Sequence, residues 1–220
     1  MNDPSRWSRD VEKVRRFWSG YAEQFDGVYH RRSLVDRLFR QAVPMRQAFA
    51  LEILDGYSEP TVLDVGCGSG RQMTAAVEAG AACALGIDLS PAMISLGENA
   101  AREAGLSDRV EFRIGDIMDL PVTATWDVVW ALGVFDYIRD PFPLVQRMTE
   151  LSRGHVAASF RRVWAARNPL RKLTYALRGC PIYFQTSGQV EGWFREAGLV
   201  DITVSRLGPS GYFASGRKAQ

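Results

Sequence analysis

Thr61-Val62-Leu63-Asp64-Val65-Gly66-Cys67-Gly68-Ser69-Gly70 is the stretch on which the reading of this chain turns. Residues 61–65 are a short apolar run, the pattern of a buried strand. Alternating glycines follow, and the segment from Arg71 to Ala79 then reads as a helix. A glycine turn between strand and helix lets a ligand approach the backbone closely, with the N–H groups of the helix start facing it. The spacing is G-x-G-x-G, and Asp64 lies inside the strand, two residues before the first glycine. Dinucleotide sites usually read G-x-G-x-x-G and lack an acid at that place.

The next acid on this pattern comes 24 residues later. Residues 82–87 read as a second strand that ends in Asp88, and Ser90-Pro91 supply a helix N-cap and a first helical residue. An acid at the tip of that strand is placed to accept hydrogen bonds from both hydroxyls of a ribose. A third strand, 110–114, ends in Gly115-Asp116-Ile117, where an acid could receive the amino group of an adenine. Three acids at the carboxyl ends of successive strands suit an adenosine-like, cationic ligand and suit a pyrophosphate poorly.

Read in order, V-L-D-V-G-C-G-S-G, G-I-D-L-S-P-A-M-I, G-D-I-M-D-L-P and W-D-V-V-W-A-L-G-V-F-D-Y resemble the class I S-adenosylmethionine-dependent methyltransferases. The resemblance covers residues 55–160 closely. It implies S-adenosyl-L-methionine as cofactor and S-adenosyl-L-homocysteine as product. It implies that Asp64 helps hold the methionine end and that Gly66, Cys67, Gly68 and Gly70 form the loop around the ligand. Asp88 would take the ribose, Leu89 and Met93 would pack on the adenine, and Asp116 and Ile117 would border it. Leu132 and Gly133 would face the methyl-bearing sulfur. Singly, Asp64 could equally be an acid that braces the loop, and Asp88 a strand-end residue. Cys67 reads as a small filler of the loop, not as a nucleophile.

Strands and helices alternate along the chain: strand 61–65, helix 70–79, strand 82–87, helix 91–104, strand 109–114, strand 126–131, helix 141–152, strand 154–160. Helix 187–197 follows, then strands 199–206 and 211–217 as a hairpin turned at Gly208-Pro209-Ser210-Gly211. This pattern predicts an α/β fold: a Rossmann-like, mostly parallel sheet with helices on both faces. The resemblance implies seven strands, the last antiparallel. Residues 1–57 are expected as an N-terminal helical lid, with helices over 9–29 and 33–54 and a kink at Pro44. Residues 58–220 are expected as the main domain, with 161–186 an insertion after the fifth strand.

A net charge of +2 hides a segregation. Residues 58–160 carry 14 acids and 7 bases, whereas 161–186 carry six bases and no acid. Cys67, Cys83 and Cys180 are scattered without C-x-x-C spacing, which argues against a disulfide framework and a zinc site and fits the cytoplasm. There is no apolar run of membrane-spanning length, so no membrane partner is expected. No nucleic-acid partner is expected either, since the balance is only weakly basic and no RNA-binding module is present.

Methyl transfer from a sulfonium needs proximity and alignment, and a base only if the acceptor must lose a proton. The segment after the fourth strand, Gly133-Val134-Phe135-Asp136-Tyr137, lacks the His that many relatives carry there. Asp136 and Tyr137 are therefore the candidate catalytic residues, though Asp136 could be only a turn residue. The stretch Trp18 to Tyr29 resembles a lid helix, with Tyr21 and Tyr29 the candidates for closing over the cofactor and Tyr21 a third candidate near the chemistry. A plain core-packing stripe is the other reading. Phe135, Tyr137, Trp164, Arg171, Tyr175 and Tyr183 are the candidate acceptor pocket. The bases of 161–186 point to an anionic acceptor or, given 24 Arg against three Lys, to a solvated face. The expected function is methylation of a small molecule at oxygen, nitrogen or carbon by a monomer or homodimer. A nucleic-acid or protein methyltransferase, or a non-catalytic cofactor-binding protein, are the alternatives.

Overall fold

The computed structural model describes residues 11–20, 42–163, 165 and 168–219. Residues 11–20 are helical (α1). There follow α2 (Ala42–Leu54), β1 (Thr61–Val65), α3 (Arg71–Glu78), β2 (Cys83–Asp88), α4 (Pro91–Glu103) and β3 (Val110–Ile114). Then come β4 (Trp126–Leu132), α5 (Phe142–Leu151), β5 (Ser152–Arg161), α6 (Asn168–Leu177), α7 (Ser187–Glu196), β6 (Leu199–Leu207) and β7 (Gly211–Lys218). Pro44 falls inside α2. The remainder of the two expected N-terminal helices, with Tyr21 and Tyr29, lies outside the described residues, as does Trp164.

The seven strands lie in the order β3-β2-β1-β4-β5-β7-β6. β1 pairs in parallel with β2 on one side and β4 on the other. Strands covered on both faces by helices need apolar residues at every position, which is why β1 and β4 read T-V-L-D-V and W-D-V-V-W-A-L with little alternation. β7 runs antiparallel between β5 and β6, and its hairpin with β6 closes at Leu207 and Gly211 as the turn residues predict.

Two apolar layers sandwich the sheet. On one face Ala50 and Leu54 of α2, Met73, Ala76 and Val77 of α3, and Ile94 and Ala101 of α4 pack on Val62, Val128 and Trp130. On the other, Leu144, Val145 and Met148 of α5 and Val190 and Phe194 of α7 pack on Leu63, Val129, Val156 and Ala158. Chain direction across the sheet reverses between β1 and β4, leaving a crevice above their carboxyl ends where open α/β sheets bind ligands.

The segment 161–186 contains a helix, α6, where the sequence reading expects only an insertion. Leu170, Leu173 and Leu177 repeat at helical spacing, but they stand on the face turned away from the core. Both ends of the segment are tied to the end of β5. Gln185 N–H donates to Arg161 O at 2.7 Å, Val163 N–H to Gln185 O at 3.1 Å, and Asn168 Nδ2 to Arg162 O at 2.8 Å.

Candidate cofactor and acceptor site

The loop 66–70 is anchored by Gly66 N–H and Cys67 N–H, which donate to Ile87 O at 2.8 and 3.2 Å. Gly66 has φ 65, and a Cβ there would fall 2.3 Å from Val134 Cγ2, so only glycine fits. Gly68, at φ 55, has no atom within 4 Å of where its Cβ would stand. The loop is thus packed at its base and open at Gly68, the point of approach for a ligand. Cys67 is buried against the backbone of Gly86, and burial pushes its thiol well above the usual range. It is a filler of the loop, without nucleophilic character.

Asp88 holds the open side. Its Oδ2 accepts from Gly68 N–H at 2.9 Å and its Oδ1 from Ser90 N–H at 2.8 Å. Burial raises its pKa against these backbone donors. Each oxygen keeps a lone pair for an added donor such as a ribose hydroxyl. Ser90 caps α4 through Met93 N–H. Met93 itself is buried, and Leu89 sits half-buried at the rim. Asp116 caps the short 3₁₀ turn Ile117–Asp119 by accepting from Met118 N–H at 3.0 Å. The Ile117 side chain is packed into the core, so it can border an adenine only through its backbone. Ile114 and Met118 lie exposed beside it, an apolar rim that the acid-based reading of this strand end does not single out.

Asp64 is buried beneath the loop, and its Oδ2 has no hydrogen-bond partner. Burial pushes its pKa up to about 8, with the nearby Asp88 adding to the rise and Arg46 opposing it. The indole of Trp130 also favours the charged form, without meeting hydrogen-bond geometry. Arg46 reaches in from α2: its Nη1 lies 2.6 Å from the position of a Cβ on Gly133, and its Nε is buried without a partner. A carboxyl oxygen and a guanidinium nitrogen are therefore both buried without a partner, and the two groups lie close enough for Arg46 to lower the Asp64 pKa. Buried polar groups are normally paired, so such a couple marks a place for a ligand with both charges. Arg46 was not legible as a site residue. The only trace in the sequence is an arginine within the run 42–51, apolar but for it and Gln47, far from the motifs.

At the end of β4 the 3₁₀ turn Phe135–Tyr137 is wholly buried. Phe135 is fully buried and packs on Phe160, ring centroids 4.5 Å apart. An aromatic ring at a fully covered position gains more from the core than from a wet wall. The Asp136 carboxylate is paired with Arg161, Nε at 2.8 Å and Nη2 at 2.5 Å, with side chains only 8% and 19% exposed. Burial, then Tyr175 and Asp136, push the Tyr137 hydroxyl well above its usual pKa, so it stays protonated at neutral pH.

Tyr175 of α6 joins this cluster, its hydroxyl 3.5 Å from that of Tyr137. Arg171 faces the same way, and burial followed by repulsion from Arg161 lowers its pKa. Among the described residues it has no acid within ion-pair distance. Tyr183 is tied to the turn by its N–H, which donates to Asp136 O at 2.8 Å, and its hydroxyl accepts from Arg139 Nε at 3.2 Å.

From the far side, α1 lies across both halves. Ser19 Oγ is 3.0 Å from Ser90 Oγ, Trp18 meets the Tyr137 ring edge-on at 5.7 Å, and Phe17 packs on Tyr175 at 5.7 Å. The aromatic stripe of the first helix was visible in the sequence. Which of its rings touch the site was not.

Sheet order, a glycine loop at the switch point and acids at the carboxyl ends of β1, β2 and β3 together suit the binding of a nucleoside. Residues 62–154 match the family model of a methyltransferase domain. The chain is 36% identical over 146 residues, 63% of its length and 37% of the relative's, to a probable tocopherol O-methyltransferase of Oryza sativa subsp. japonica. It is 33% identical over 105 residues, 47% of its length and 35% of the relative's, to a ribosomal protein L11 methyltransferase of Pasteurella multocida. It thus spans little more than a third of these relatives. The fold is similar to magnesium protoporphyrin IX methyltransferase of Synechocystis PCC 6803 with bound SAH (TM-score 0.76, 18% identity, 96% of this chain and 100% of that one). It is also similar to geranyl diphosphate C-methyltransferase of Streptomyces coelicolor A3(2) (TM-score 0.64, 17% identity, 79% of each chain).

Proposed function

We propose that the chain binds S-adenosylmethionine and transfers its methyl group to a small-molecule acceptor that carries an anionic group. The observation that carries this reading is the buried, unpartnered couple of Asp64 and Arg46 beside a ribose-type acid. A zwitterionic amino-acid end satisfies both groups at once: an ammonium donates to Asp64 Oδ2 and a carboxylate accepts from Arg46 Nε. Asp88 and the open face of Gly68 take the adenosyl side. The same cofactor is named in solved structures of this fold with SAM or SAH bound.

Once bound, the cofactor supplies an electrophilic methyl on a sulfonium. What the chain contributes is position, which can lower a barrier by roughly 7–11 kcal/mol when the alignment is good. Asp136 is held by Arg161 and Tyr137 is protonated, so both orient the acceptor and neither abstracts a proton. Arg171, beside Arg161 and without an acid of its own among the described residues, is the group that selects an anionic acceptor. Tyr21 and Tyr29 remain proposed lid residues. The reaction is placed in the cytoplasm, in keeping with free cysteines at 67, 83 and 180.

Calorimetry tests the cofactor half. S-adenosylhomocysteine is expected to bind at micromolar strength, and Asp88→Ala to weaken it by roughly 1.5–3 kcal/mol. Binding of NAD in its place, or an unchanged affinity in the variant, would overturn the assignment. On the acceptor half, Arg171→Gln should raise KM for an anionic acceptor and leave the cofactor affinity as it was. An unchanged KM would reduce the bases of 161–186 to a solvated face.

A further inference from the structure

Helix α6 presents two unlike faces. One turns Arg171 and Tyr175 inward, with Tyr175 on Tyr137 and Phe17. On the other stand Leu170, Leu173 and Leu177, which are 70%, 58% and 80% exposed. At about 100° per residue these three fall within an arc of about 60°, nearly opposite Tyr175. No residue of the helix is fully buried. A continuous stripe of leucines in water is unusual for a helix that already has a packed side, because such residues normally serve as that side.

The stripe has charged neighbours of one sign. Lys172 and, just past the end of the helix, Arg178 are exposed on its two flanks, about 80–100° round from the nearest leucine, and neither has an acidic partner among the described residues. The whole segment 161–186 carries six bases and no acid. Apolar side chains flanked by cations complement a surface that offers hydrocarbon and anionic groups together. A second copy meeting the same face by two-fold symmetry would set Lys172 and Arg178 against their own kind, which disfavours self-association.

We propose that the outer face of α6 docks on an anionic lipid surface, with Leu170, Leu173 and Leu177 entering the interface and Lys172 and Arg178 meeting the headgroups. Among the described residues no helix is long and apolar enough to cross a membrane, so the contact is peripheral. It departs from the sequence-based expectation of no membrane partner, which considered only spanning segments. Since the inner face of the same helix borders the acceptor side as read above, docking brings that side to the bilayer, and the acceptor class it favours is an amphiphile with an anionic head.

Sedimentation of the full chain with phosphatidylglycerol–phosphatidylcholine vesicles tests this. Binding is expected to the mixed vesicles, to weaken at high salt, and to be absent with phosphatidylcholine alone. Leu170→Gln, Leu173→Gln and Leu177→Gln together should weaken it about tenfold or more, as should Lys172→Glu with Arg178→Glu. Unchanged thermal melting and S-adenosylhomocysteine affinity show that either variant is folded, and that readout fails independently if the cofactor assignment is wrong. No binding to anionic vesicles, equal binding to neutral ones, or binding indifferent to the leucines overturns the proposal. So does self-association in lipid-free sedimentation velocity that the leucine variant abolishes, or capture of an acidic polypeptide through the same face without any vesicle binding.

Discussion

Asp64 is a buried carboxyl whose chemistry departs far from that of its free side chain. Burial lifts its pKa from 3.8 to about 8, so between those values the folded protein retains a proton that the unfolded chain releases. By linkage this contribution lowers stability as pH rises through the window. An ammonium placed against Asp64 favours its charged form, so cofactor uptake near neutral pH should expel a proton. Titrations of S-adenosylhomocysteine in phosphate and in Tris should then give enthalpies that differ by the buffer's ionisation heat, and Asp64→Asn should erase the difference. Arg46→Met should weaken S-adenosylhomocysteine by about 1.5–3 kcal/mol and leave adenosine, which lacks the amino-acid end, unaffected. Equal losses for both ligands would mean that Arg46 only supports the fold. Asp64 was legible because it belongs to a local pattern with the glycines. Arg46 stands outside every motif and reaches Gly133 only through the packing of α2 on the sheet.

Elements meet at two joints. The first is the glycine loop, where Gly66→Ala would put a methyl into Val134 at a left-handed φ. Strain and overpacking each cost roughly 1–3 kcal/mol, so a lowered melting temperature with loss of cofactor binding is expected. A variant that melted and bound like the wild type would contradict the close packing seen there. The second joint is the Asp136–Arg161 ion pair, which ties the turn after β4 to the end of β5. Asp136→Asn leaves a buried guanidinium without its counter-charge, a loss of about 3–5 kcal/mol in urea denaturation. Adding Arg161→Met should recover much of it, since the pair is costly mainly when half is removed. Asp136 was expected as a base, as a group orienting the acceptor or as a turn residue, and its structural partner lies 25 residues on in another strand. No spacing rule connects those two positions.

Across the molecule, the alternation of apolar strands with amphipathic helices, the glycine loop and the acids ending the first strands all follow from neighbours in the chain. Periods of two and 3.6 residues, turn chemistry and capping are short-range effects, so the α/β class and the nucleoside half could be read from residues 61–132. The acceptor half obeys no such rule. Trp18 on Tyr137, Phe17 on Tyr175, Arg171 beside Arg161 and Arg46 beside Asp64 join segments that the sequence leaves unconnected. Their meeting depends on how α1, α2 and α6 settle over the carboxyl ends of the strands, and on which side chains burial strips of water. Local sequence therefore determined what kind of ligand the loop can hold, since the groups that recognise it are set by adjacent residues. Long-range packing decided which charges face the acceptor, because their pairing and pKa values arise only where distant elements exclude solvent together.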